Sequence, residues 1–82
     1  MDDQPAILWT LRRDGGEITC QARLASYGIE VDLLNGGQVV LTRVFATDAE
    51  ALAWAREKRQ LRETQGWQPV AVEASPPQRP VA

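Results

Sequence analysis

The densest group of reactive side chains in this chain lies between two tryptophans. The stretch WAREKRQLRETQGW, residues 54–67, sets Arg56, Lys58, Arg59 and Arg62 between Trp54 and Trp67. Basic side chains neutralise phosphates and aromatic faces stack on bases, so this mixture is one signature of a nucleic-acid contact. A helix that buries its tryptophan and solvates its charges gives the same pattern. Two further groups have chemical potential. Cys20 is the single thiol. Glu30 and Asp32 stand two apart, which places both carboxylates on one side of a strand.

The chain lacks most of what catalysis uses. It has no histidine, so no side chain titrates near neutral pH in its ordinary form. One cysteine forms no internal disulfide, and without histidine or a second thiol the common zinc sites cannot be built. Gly15-Gly16 and Gly36-Gly37 sit at turn positions and open no helix, so neither reads as a phosphate loop. The expectation is a non-enzyme with no catalytic residues, no cofactor and no metal. A net charge of −2 argues against a dedicated nucleic-acid binder. The 82 residues are 44% hydrophobic and 24% charged, which suits one globular domain. No run approaches the roughly 18 apolar residues that cross a bilayer. The start, MDDQPA, has neither the basic nor the apolar region of a signal peptide. A cytoplasmic location follows as an expectation.

Four strands and a helix must position these groups. Ile7, Trp9 and Leu11 alternate with Leu8, Thr10 and Arg12. Asp14-Gly15 then supplies a two-residue turn, because both residues tolerate positive φ. That turn sets Leu11 opposite Ile18, Trp9 opposite Cys20 and Arg12 opposite Glu17, a register in which like meets like and opposite charges pair. Ile18, Cys20, Ala22 and Leu24 share one face of the second strand. Ile29, Val31 and Leu33 continue it after a turn at Ser26-Tyr27-Gly28. A last turn at Asn35-Gly36-Gly37 leads into the strand from Gln38 to Ala46. Two registers compete there. A two-residue loop points Val40, Thr42 and Val44 inward. A three-residue loop with a glycine bulge points Val39, Leu41, Arg43 and Phe45 inward, and it is preferred because it buries the larger side chains. Arg43 then needs a carboxylate or carbonyl partner at the core edge.

Thr47-Asp48-Ala49-Glu50 is a capping-box pattern, with Thr47 as N-cap and Glu50 three residues on. Good helix formers run to Arg62, and Gly66 marks the stop. Ala51, Trp54, Ala55, Lys58, Leu61 and Arg62 share one side, so Trp54 reads as a core anchor. Trp67 is placed to fold back over an open end of the core. The fold expected is α+β: a four-stranded antiparallel meander, β-β-β-β-α, with one C-terminal helix on one sheet face. Residues 1–6 form a loose lead-in, 7–67 the domain, and 68–82 a Pro-rich disordered tail.

The string Trp9-x-Leu11, Gly15, Ile18-Thr19-Cys20, Tyr27-Gly28-Ile29-Glu30-Val31, Arg43-x-Phe45-x-Thr47 and Trp54-Ala55-x-Glu57 resembles a group of short bacterial proteins of unknown function. The resemblance covers about residues 8–67 and brings no activity with it. A weaker, architectural likeness is to DNA-binding domains built as a three-stranded sheet on a helix. There the exposed sheet face would mix Glu17, Glu30 and Asp32 with Arg12 and Arg23, a poor grip for phosphates.

One helix covers one face of a sheet. Leu8, Leu34, Val40 and Val44 are expected to remain uncovered on the other face, which reads as a protein interface. The leading expectation is a small interaction module that forms a homodimer, or binds another protein, through that face or an edge strand. The second expectation is a nucleic-acid accessory protein that uses Arg56, Lys58, Arg59 and Arg62.

Overall fold

The computed structural model describes residues 5–70. The lead-in expected over 1–6 therefore lies mostly outside the described residues, as does most of the tail expected over 68–82. The chain forms β1 (Ala6–Arg13), β2 (Gly16–Ala25), β3 (Gly28–Asn35), β4 (Gln38–Phe45), the helix α1 (Asp48–Thr64) and a short β5 (Gln68–Pro69). The strands make one antiparallel sheet in the order β4-β3-β2-β1-β5. The α+β meander with a helix packed on one face is as expected; β5 is an addition at the β1 edge.

The first hairpin follows its turn chemistry. Asp14 and Gly15 both hold positive φ, at 47° and 83°. Leu11 faces Ile18, Trp9 faces Cys20 and Arg12 faces Glu17, and the last pair closes an ion pair of 2.9 Å. Nearer the start of β1 the expected alternation fails. A register shift between Ile7 and Trp9 puts Ile7 opposite Gln21. Ile7 therefore leaves the core face and is 56% exposed. Leu8, the extra residue, packs against the core instead. A bulge of this kind turns one side chain over and leaves no trace in the polar-apolar pattern.

The β3–β4 hairpin combines the two registers set against each other above. Asn35 pairs with Gln38, so the loop is the two-residue Gly36-Gly37, with φ at 62° and 89°. The three-residue loop is corrected. The extra residue sits within β4, where Leu34 pairs with Val39 and Leu33 with Leu41. This shift returns Leu41, Arg43 and Phe45 to the helix-covered face, as preferred. It does not carry Val39 with them: Val39 stays beside Leu34, away from the helix.

The core is small: Trp9, Leu11, Ile18, Cys20, Val31, Leu33, Ala51 and Ala55 are buried. Leu24, expected inward, is 81% exposed at the far end of β2. Small Ala51 and Ala55 let α1 approach the sheet, and the Trp9 indole N–H donates to the Ala55 carbonyl at 3.0 Å. Thr47 caps the helix, its hydroxyl accepting the Glu50 N–H at 3.2 Å. The far end closes as a Schellman motif. Gly66 takes φ 98°, its N–H bonds Glu63, and the Trp67 N–H bonds the Arg62 carbonyl. Trp67 then packs against the core and lies over Gly16.

Candidate interaction surface

The chemistry-bearing residues separate once placed on this frame. Cys20 is fully buried between its neighbours on β1 and β3. Burial, with Asp32 adding, pushes its thiol up to about 12. A thiol that keeps its proton is neither a nucleophile nor a metal ligand at neutral pH.

Glu30 and Asp32 share the face turned away from α1, as their spacing requires. That face was expected to be solvated at Asp32, and this is corrected: Asp32 is 3% exposed. Gln21 and Thr42 pair with it from the two flanking strands. The Thr42 hydroxyl donates to Asp32 Oδ1 at 2.8 Å. Arg23 reaches Asp32 at 4.0 Å and Glu30 at 3.8 Å. Tyr27 donates its hydroxyl to Glu30 at 2.7 Å, and that bond raises the phenol above its ordinary range. The centre of this face is thus a closed polar network of Arg23, Glu30, Asp32 and Thr42. The carboxylates are occupied by cation and hydroxyl partners rather than presented as a catalytic pair.

The four basic residues of α1 have different surroundings. Lys58 lies over the Trp54 ring at 5.4 Å, on the β4 side of the helix. Arg59 bonds Glu63 at 2.9 Å, one turn on. Arg56 and Arg59 line a hollow with Leu8 and Leu52 on the β1 side, and Arg62 is half-buried. Trp54 packs on the core against Phe45, ring centres 5.7 Å apart. Arg43 finds the Trp54 face at 5.9 Å. The carboxylate or carbonyl expected for Arg43 is therefore replaced by an aromatic ring, whose negative face attracts a cation at low desolvation cost.

The apolar residues expected on the uncovered face also divide. Leu8 is removed from that set, because it packs on the helix side. Leu34 is half-buried beside Val39. Val40 and Val44 are 61% and 46% exposed, joined by Val39 at 53% and Leu41 at 39%. All four exposed residues belong to β4. Val39 and Val44 lie on the open face and Leu41 on the helix face, so the strand shows apolar groups on both of its sides. Among the described residues it is also a terminal strand of the sheet. The Gly36 N–H bonds the Glu17 carbonyl at 3.0 Å, which makes Ile18–Asn35 the non-bonded kind of antiparallel pair. By alternation, Leu33 and Val31 aim their amides at β4, and Thr42 and Val44 aim theirs away from the sheet. The sequence pointed to Val40 and Val44. It missed Val39 and Leu41, because only the bulge and the strand order show that they share one edge.

No protein-family model, curated protein or solved structure matches this chain. None of the described helices is long and apolar enough to cross a membrane.

Proposed function

We propose that the chain is a small protein-interaction module that self-associates by antiparallel pairing of β4 with β4 of a second copy. One observation carries the reading. β4 is an eight-residue edge whose outward amides meet no strand among the described residues, with Val39, Val40, Leu41 and Val44 all exposed. Unpaired edges invite pairing with another chain, and proteins that stay monomeric blunt them with short strands, lysines, prolines or bulges. The opposite edge carries such protection: two-residue β5, with Pro69, lies against Leu11 and Arg12 of β1. β4 has one bulge near its turn. Its single charge, Arg43, is exposed but lies over Trp54 on the helix side. Leu41 to Phe45 contains no lysine and no proline.

A two-fold axis would join the two sheets edge to edge and set both helices on one side. Leu61, 49% exposed beside Lys58, would extend the contact on that side. With Lys58 over Trp54 and Arg59 bonded to Glu63, the basic residues of α1 support self-association through β4 no less than a nucleic-acid role, and the net charge of −2 favours the former.

The test is Val44→Lys, assayed by light scattering on a sizing column. Lysine is the usual guard of an edge strand, and here it would face Glu30, the cross-strand partner of Val44, so folding is spared. The expected result is a monomer, while Leu24→Lys, at a more exposed apolar site away from the edge, still dimerises. A Val44→Lys chain that associates as the parent does would refute the role of β4.

A further inference from the structure

The edge-to-edge pair has one best register. Thr42 and Val44 aim their amides outward, while Leu41 and Arg43 pair with Leu33 and Val31 and give theirs to β3. Setting Thr42 against Val44 of a second copy, and Val44 against its Thr42, matches each outward amide with an outward carbonyl inside the regular stretch 41–45. The two-fold axis then falls on Arg43. An axis on Thr42 would carry Val44 to Val40, at the bulge, and an axis on Val44 would carry Thr42 past the end of β4.

This register has an electrostatic consequence. Arg43 meets Arg43 of the second copy as a non-bonded pair, with Cα atoms about 4.5 Å apart. Both side chains lie on the helix side, and like charges directly opposite destabilise a sheet. Lys58 adds to them. Its ammonium lies 5.4 Å from the centre of the Trp54 ring, and the Arg43 guanidinium lies 5.9 Å from the same centre. Arg12, Arg13, Arg23 and Arg59 each have a carboxylate within 4.0 Å. Among the described residues Arg43 and Lys58 have none. Glu57 lines a hollow with Lys58 without closing an ion pair to it. Two arginines and two lysines thus gather about one axis, beside two tryptophan rings. An oxyanion with several charges supplies what they lack: guanidinium forks take phosphoryl oxygens in pairs, and ammonium groups add point charge.

We propose that the β4-paired dimer binds a small multivalent oxyanion of the phosphate class at its two-fold axis, held by Arg43 and Lys58 of both copies. The site rests on self-association through β4 and does not exist in one chain. Binding and association are then coupled, because an ion that binds only the pair stabilises the pair.

The experiment is sedimentation of the full chain at fixed ionic strength, in chloride and with inorganic pyrophosphate replacing part of it. The dimer dissociation constant should fall about tenfold or more in pyrophosphate. Arg43→Gln should associate more tightly than the parent in chloride, because the repulsion is gone, and should lose the response to pyrophosphate. Lys58→Gln should weaken that response. A dimer with one constant in both anions would overturn the anion site and leave pairing through β4 standing. A monomer in both would overturn the two together. Tightening by a short DNA duplex but not by pyrophosphate would overturn the proposal in favour of a nucleic-acid contact.

Discussion

Trp9, Cys20 and Asp32 show how single side chains set the character of this domain. Cys20 is a filler whose proton is held by burial. Its folded-state value of about 12 lies above the ordinary 9.0. A raised value favours the neutral form, so this contribution to stability is complete below the ordinary thiol range and disappears as pH climbs from about 9 to 12. Thermal melts across that interval should fall more steeply for the parent than for Cys20→Ala; parallel curves would contradict the assignment. At neutral pH the native thiol should resist a soluble disulfide reagent and react on unfolding. The Thr42 hydroxyl donates to Asp32 Oδ1 at 2.8 Å, closer than the Arg23 guanidinium at 4.0 Å. Thr42→Val should cost about 1–3 kcal/mol in urea unfolding, since it strips a hydroxyl from a buried acceptor; a loss of a few tenths would mean Arg23 alone suffices. The buried state of Asp32 was not legible in the sequence. Alternation assigns a face from polarity, and Asp32 is polar on a face that flanking strands nevertheless close.

Among the elements, the hairpins and the helix were legible to different depths. Asp14-Gly15 fixed the first register, and Thr47, Glu50 and Gly66 marked the helix ends, because those signals are local and each satisfies a specific backbone group. The bulges at Leu8 and at Val39–Val40 were not legible, since a valine or leucine has the same polarity on either side of a one-residue shift. Glycine positions give a sharp contrast. Gly28 holds φ 141°, and a Cβ there would stand 2.6 Å from the Phe45 carbonyl oxygen. Gly36 holds φ 62° with open space around it. Gly36→Ala should cost about 1 kcal/mol, the penalty of a left-handed residue. Gly28→Ala should cost at least twice that, because the backbone of β4 must move as well. Equal losses in chemical denaturation would show that the close approach to Phe45 carries no energetic weight.

The described residues form a thin sheet with one helix and eight buried apolar residues. A domain of this size buries only about 60% of the surface its unfolded chain exposes. Association at β4 would add apolar burial that the monomer cannot supply, and it would make stability depend on concentration. The melting temperature should therefore rise as the protein is concentrated, and Val44→Lys should remove the dependence. The edge itself was half legible: Val40 and Val44 were singled out from the sequence as exposed. That Val39, Val40, Leu41 and Val44 lie on a terminal strand of the described sheet, with Arg43 over Trp54, follows from strand order, which no local pattern encodes. The most direct measurement is the solution mass of the parent chain by light scattering on a sizing column, at low and at high salt. Apolar contact and backbone pairing predict a dimer that persists when charges are screened. A monomer at both salt concentrations, across the range where small domains dimerise, would contradict self-association through β4.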